Sequence, residues 1–143
     1  MATIRDILMR KGTYVASVSP ETTVLEAARL MNEEKIGAVV VAEEGKMAGI
    51  FTERDILRRV VAVGRDPNTT TVAEVMTAQV ACGRMNTSLE ECRSVMTNRR
   101  IRHLPVIDDE QRLAGIVTIG DLMAWELSDH KDTIQFLHAY IMH

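Results

Sequence analysis

Apolar residues along this chain fall into two series that echo each other. Val24, Ala27, Ala28 and Met31 recur at i, i+3, i+4 and i+7, the spacing of one helix face. Leu89, Cys92, Val95 and Met96 form a similar stripe further on. Thr22 or Thr23, and Thr87 or Ser88, stand where a helix takes its N-cap. A short extended piece precedes each helix, near residues 14–18 and 79–82, and a buried strand follows each, at 38–41 and 104–107. The charged turns Glu43-Glu44-Gly45-Lys46 and Asp108-Asp109-Glu110-Gln111 lead into a second strand. That strand ends at Thr52 or Thr118 and runs into a second helix, which in the first series carries Ile56, Leu57, Val60 and Val61 on one side.

The two series are copies. Residues 31–36 align with 96–101 at a shift of 65, and one inserted residue then raises the shift to 66. Ala48-Gly49-Ile50-Phe51-Thr52-Glu53-Arg54-Asp55-Ile56 thereby meets Ala114-Gly115-Ile116-Val117-Thr118-Ile119-Gly120-Asp121-Leu122. Upstream, Thr3-Ile4-Arg5-Asp6-Ile7-Leu8 meets Thr71-Val72-Ala73-Glu74-Val75-Met76. Two copies make a duplication rather than a solenoid. The expected organisation is a first repeat at 1–63, a linker at 64–70 broken by Gly64, Pro67 and Asn68, a second repeat at 71–127, and a C-terminal helical extension at 128–143 striped by Ile134, Leu137 and Ile141. The fold class is α/β (α+β), built from two tandem βαββα units. A chain of 143 residues buries about 68–70% of its unfolded surface, whereas a half-length piece buries only about 60%, so the copies are expected to pack on each other as a single soluble domain.

Composition narrows the chemistry. Aromatic residues make up only 3% and there are 9 methionines, so the core is aliphatic and filled by flexible Met. A net charge of −3 argues against a general nucleic-acid binder. Cys82 and Cys92 match neither a CxxC nor a zinc spacing and read as buried thiols, which suits a reducing, cytoplasmic setting. Charges interrupt the N-terminal stretch, so it lacks a signal-peptide core, and no run reaches the ~18 apolar residues of a membrane helix. His130, His138 and His143 have no metal-ligand spacing and read as a solvated tail. Trp125 and Met123 read as cover for the second copy's helix. Neither a Walker loop nor GxGxxG is present, and no catalytic triad or metal cluster is evident.

The duplicated feature with most chemical content is Gly-h-h-Thr-x-x-Asp, where h is apolar. It stands as Gly49 to Asp55 and Gly115 to Asp121, at the same strand end in both copies. An ionised Asp can accept two hydrogen bonds from a ribose diol, and a Thr hydroxyl can assist beside it. Gly permits close approach of a ligand to the backbone. The same Thr-x-x-Asp pattern is also a capping box, in which Asp only closes the first helical turn. Both roles can coexist.

The duplication, the two Asp turns and the strand Arg102-His103-Leu104-Pro105-Val106 resemble a tandem pair of CBS domains, the regulatory module of the cystathionine-β-synthase type. The resemblance covers roughly residues 3–127. It implies a pseudo-twofold sensor whose clefts hold AMP, ADP, ATP, NAD or S-adenosylmethionine, a homodimer built through helical faces, and an effector protein that reads the bound state. It further implies ribose at Asp55 with Thr52 and at Asp121 with Thr118. Adenine would lie along the strand beginning at Gly37 and Ala38, and along its counterpart at Arg102, His103 and Pro105. The copies differ at these places. Arg54 faces Gly120 in the alignment, and Gly37-Ala38 faces Arg102-His103, so phosphate contacts are expected to be unequal. Arg suits phosphate through its planar fork of donors, which makes Arg54, Arg102 and His103 candidate contacts. Arg58, Arg59, Arg99 and Arg100 are concentrated near the same ligand-facing segments of an otherwise acidic protein, though as helix residues they read first as solvated. The expectation is a non-catalytic sensor that requires no cofactor, with a nucleotide enzyme and an interaction module with vestigial clefts as rivals.

Overall fold

The computed structural model describes residues 1–129. The expected tail helix with Ile134, Leu137 and Ile141, and the three C-terminal histidines, lie outside the described residues.

The first repeat consists of α1 (Ile4–Lys11), β1 (Ser17–Val18), α2 (Val24–Glu34), β2 (Ala38–Glu43), β3 (Lys46–Thr52) and α3 (Glu53–Asp55), which continues as a π-helical stretch over Ile56–Val61. The second consists of α4 (Val72–Val75), α5 (Leu89–Arg99), β4 (His103–Ile107), β5 (Leu113–Thr118) and α6 (Ile119–Asp129). Thr23 and Ser88 are the N-caps chosen, each side chain accepting the N–H three residues on. Lys35 and Arg100 close the two long helices in the left-handed region, with φ of 57° and 55°.

The sheets are small and mixed. β1 runs parallel to β2, and β2 pairs antiparallel with β3. β4 and β5 form an antiparallel pair. Both hairpins carry a bulge at the same place in the repeat, between Val41 and Ala42 and between Val106 and Ile107. The extended piece at 79–82 does not become a strand. Only Gly83 bridges to Val106, so the second sheet has two strands where the first has three. An added Cβ on Gly83 would lie 2.5 Å from Ile4 Cδ1.

The copies are not self-contained. Ile4, Ile7 and Leu8 of α1 are buried with Leu104, Val106 and Val117 in the core of the second repeat. Val72 and Val75 of α4 are buried with Val39, Val41 and Phe51 in the core of the first. Matching backbone bonds fasten the exchange. Ile4 N–H donates to Thr87 O at 2.9 Å, and Val72 N–H donates to Thr22 O at 2.8 Å. Each fully buried aliphatic side chain contributes about 1.5–3 kcal/mol, so either crossing helix is a substantial part of the core it enters.

The matching positions of Gly49 and Gly115 in the two copies have a packing explanation here. A Cβ on Gly49 would meet Thr77 O at 2.6 Å, and one on Gly115 would meet Leu8 Cδ1 at 2.7 Å. Each glycine lets the crossing segment from the other repeat lie against the strand. The helix expected to bury Ile56, Leu57, Val60 and Val61 on one side does so only in part. Val60 is buried, while Leu57 and Val61 are exposed. Ala62 N–H donates to Leu57 O and Arg65 N–H to Val60 O, the wide i→i+5 winding that leaves this outer pair off the core. Met123, expected as cover, is likewise exposed.

Candidate functional site

A cleft of about 880 Å³ opens where the two repeats meet. One wall is the end of β3 with the turn into α3, bringing Ile50, Thr52, Arg54 and Asp55. The facing wall is the end of α5 with the start of β4, bringing Arg99, Arg100, Ile101, Arg102 and His103. Thr77, Gln79, Val80 and Ala81 form a third side. That segment is held by reciprocal bonds, Ile50 N–H to Thr77 O at 3.0 Å and Thr77 N–H to Ile50 O at 2.9 Å.

Of the residues expected at the site, Gly37, Thr52, Arg54, Asp55, Arg102, His103 and Thr118 line this one cleft. Three do not. Ala38 is buried in β2 opposite Thr52. Pro105 lies inside β4, and its carbonyl accepts from Gly83 N–H at 2.8 Å. Asp121 turns to a different neighbour, since Lys11 Nζ sits 2.7 Å from its Oδ2.

Both turns adopt the capping box. Asp55 Oδ2 accepts from Thr52 N–H at 3.0 Å, and Asp55 N–H donates to Thr52 Oγ1 at 3.3 Å. Asp121 Oδ2 accepts from Thr118 N–H at 2.8 Å, and Asp121 N–H donates to Thr118 Oγ1 at 3.1 Å. The same box recurs at Thr3 with Asp6 and at Thr71 with Glu74, where no cleft is involved. Capping is therefore a real role of both carboxylates. Asp55 differs from Asp121 in being buried while still lining the cleft. Its Oδ1 faces Arg59 Nε at 3.7 Å.

Arginines dominate the cleft's charge. Arg54, Arg58, Arg59, Arg99, Arg100 and Arg102 all line it, against the carboxylates of Glu53 and Asp55. Arg58, Arg59, Arg99 and Arg100, expected as solvated helix residues, are cleft residues instead. They come from two distant segments that only the packing of repeat on repeat brings together. Arg59 is anchored, its Nη1 donating to Val75 O at 3.1 Å and Met76 O at 3.0 Å. Arg54, Arg58, Arg99, Arg100 and Arg102 line the cleft with no acidic ion-pair partner among the described residues. Burial holds the His103 imidazole below its ordinary pKa, with Glu53 pulling the other way. Ile50, Val80, Ala81, Ile101 and Ile119 supply apolar surface in the same space. The arrangement offers a flat apolar ring a slot, a diol a carboxylate, and an anion several guanidinium groups.

The thiols are separate from this site. Cys92 is buried, and burial pushes its thiol up to about 11. Cys82, expected to be buried, is only half-buried, with Sγ 3.9 Å from Met47 Sδ. Among the described residues no group of three or more His, Cys, Asp or Glu side chains is placed to hold a metal ion. No helix among them is long and apolar enough to cross a membrane.

The sequence profile of the CBS domain matches residues 4–62 and again 72–128. The chain belongs to the CBS-domain family. This CBS pair is 41% identical over 131 residues to the CBS domain-containing protein YhcV of Bacillus subtilis, covering 92% of this chain and 90% of that one. Among solved structures, it superposes on the CBS-domain containing protein ATU1752 from Agrobacterium tumefaciens with a TM-score of 0.81 and 38% identity, covering 87% of this chain and 99% of the other. It also superposes on the CBS domain pair of protein MJ0100, a structure in complex with 5′-methylthioadenosine and S-adenosyl-L-methionine. There the TM-score is 0.77 and the identity 27%, over 87% of this chain and 98% of the other. These matches agree with the duplicated α/β architecture in both topology and extent.

Proposed function

We propose that this CBS pair is a non-catalytic regulatory module that binds an adenine nucleotide, with phosphates attached, in the arginine-lined cleft. The observation that carries this reading is the convergence of Arg54, Arg58, Arg99, Arg100 and Arg102 around the Thr52–Asp55 turn, in a chain whose net charge is −3. Asp55 would accept the ribose hydroxyls, and Thr52 and Thr118 would flank them. Adenine would take the apolar surface of Ile50, Val80 and Ile101. The adenosyl ligands of MJ0100 support an adenosine-shaped slot. The guanidinium cluster favours ADP or ATP over AMP, and all three over S-adenosylmethionine, whose sulfonium is a cation. NAD, with two phosphates, belongs with ADP.

The bound state would be read by a partner, with a shift no larger than the ligand's differential affinity for the two states. We further propose a homodimer in the cytoplasm. Leu57 and Val61 occupy the same places in the first repeat as Met123 and Leu127 in the second, and all four are exposed. Two like patches on pseudo-equivalent helices suit closed twofold association. Light scattering should give twice the chain mass at micromolar concentration, and a monomer there would count against it.

A thermal-shift panel of AMP, ADP, ATP, NAD and S-adenosylmethionine tests the ligand. ADP or ATP at ~100 times its dissociation constant should stabilise by about 2.7 kcal/mol. Added salt should weaken the effect, since the attraction is largely ionic. No response to any of the five at millimolar concentration would overturn the sensor reading.

A further inference from the structure

The duplication provides two Thr-x-x-Asp turns, and they have different neighbours. Aligning the repeats puts Gly120, Ala124 and Trp125 where the first half has Arg54, Arg58 and Arg59. It puts Glu34, Lys35 and Gly37 where the second half has Arg99, Arg100 and Arg102. The pseudo-equivalent of the arginine cleft therefore contains no guanidinium at any of those positions.

Its carboxylate is also taken. Lys11, in the last turn of α1, reaches Asp121 Oδ2 at 2.7 Å and donates again to Ile116 O at 3.1 Å. The residue aligned with Lys11 is Gln79, which lines the first cleft. The same point in the fold thus faces the Asp turn in both halves, but in the second half it carries a cation. The neighbouring Arg10 guanidinium lies 4.2 Å from the Trp125 ring centroid, so the last turn of α1 grips α6 at two places one helical turn apart.

We propose that Lys11 selects which turn receives a ligand: it occupies Asp121 from within the chain and restricts the pair to one nucleotide per chain, held at Asp55. This rests on the nucleotide reading of the first cleft. A ribose diol must donate to the carboxylate it binds, and at Asp121 the ammonium group already does so. An incoming ligand would have to displace Lys11, none of the positions aligned with the first cleft's arginines carries one, and the neighbouring Arg10 guanidinium is engaged on the Trp125 ring. A ligand without phosphates, such as adenosine, is the chemistry that the second turn could take once Lys11 is gone.

The test is calorimetric titration of the full chain with ADP and, separately, with adenosine. The variants are Lys11→Met, Lys11→Arg and the double variant Lys11→Met/Asp121→Asn. Met keeps the aliphatic stem and Arg keeps the cation, so each is compatible with the helix. Wild type and Lys11→Met should each bind about one ADP per chain, at the first cleft. Adenosine stoichiometry should rise from about one in wild type to about two in Lys11→Met, stay near one in Lys11→Arg, and return to about one in the double variant. Wild type binding two ADP per chain, or Lys11→Met remaining at one adenosine while ADP still binds, would overturn the role of Lys11 and leave the nucleotide reading standing. The absence of any ADP binding by wild type would instead defeat the nucleotide reading, and this inference with it.

Discussion

Replacing Asp55 by alanine separates its two roles. The carboxylate accepts the Thr52 N–H at 3.0 Å, lies 3.3 Å from Thr52 Oγ1, and faces the half-exposed Arg59 at 3.7 Å. Truncation leaves the Thr52 N–H without its partner in a partly buried turn. The surviving bond from Asp55 N–H to Thr52 Oγ1 is a backbone donor and is retained by Ala. A lost cap of this kind costs about 1–2 kcal/mol, and the loose Arg59 pair adds little because it is screened by solvent. For a chain of this size that is a fall in Tm of about 3–8 °C. If the carboxylate also holds ribose, ADP affinity falls by about 1.5–3 kcal/mol, or roughly 10- to 150-fold. Asp121→Ala is the internal control. It breaks the same kind of box and the Lys11 pair, so it should melt lower too, yet cost much less ADP affinity than Asp55→Ala, because of that box only Thr118 lines the first cleft. Differential scanning calorimetry gives the first quantity and isothermal titration the second. An Asp55→Ala protein that melts lower but binds ADP as tightly as wild type would refute the ribose role and leave capping alone.

Two further outcomes follow from the packing and the charge of the same region. Gly49→Ala should destabilise by more than Gly115→Ala, with the former at about 1–3 kcal/mol or above in urea denaturation, because its Cβ meets the backbone oxygen of Thr77 while the latter meets the movable end of Leu8; equal costs would contradict the crossing-segment account. ADP affinity should rise as pH falls through the imidazole range, with proton uptake on binding, because burial lowers the His103 pKa in the free protein and a nearby phosphate raises it. The gain levels off once pH passes below the free protein's lowered pKa. In the free protein the stability associated with neutral His103 has the opposite trend, being present above about pH 6.5 and lost as pH falls. Titration in buffers of different ionisation enthalpy measures the uptake, and a His103→Gln variant that keeps the full pH dependence would assign it elsewhere.

The repeat, its helices and its hairpins were legible because they depend on local pattern. Thr23 and Ser88 cap where hydroxyls precede an apolar stripe, and Val39 to Val41 is buried as a continuous apolar run should be. What pattern does not carry is the identity of the partner. The stripe Ile4, Ile7 and Leu8 says that α1 buries one face, but nothing in it says that the face belongs to the other repeat. The same limit explains the arginines. Arg58 and Arg99 read first as solvated because each stands on the surface of its own helix, and their common cleft exists only between repeats. At Thr52 and Asp55 motif and cleft coincide. Asp121 has the identical motif, and only the position of Lys11 distinguishes it.

The exchange of leading helices sets an order on folding. During synthesis α1 emerges well before β4 and β5, yet its apolar face has no native resting place until those strands exist. Until then Ile4, Ile7 and Leu8 stay available to the wrong surface, including the growing chain of a neighbour. The first repeat is in a similar position, with a gap in its core until Val72 and Val75 arrive from beyond the linker. Assembly therefore depends on contacts far apart in sequence, which slows it and ties both halves into one cooperative event. A break at the linker would yield two incomplete pieces, each lacking a helix that the other carries. Two such pieces, or two whole chains, could complete each other by trading those helices, the route by which duplicated folds pass into swapped assemblies.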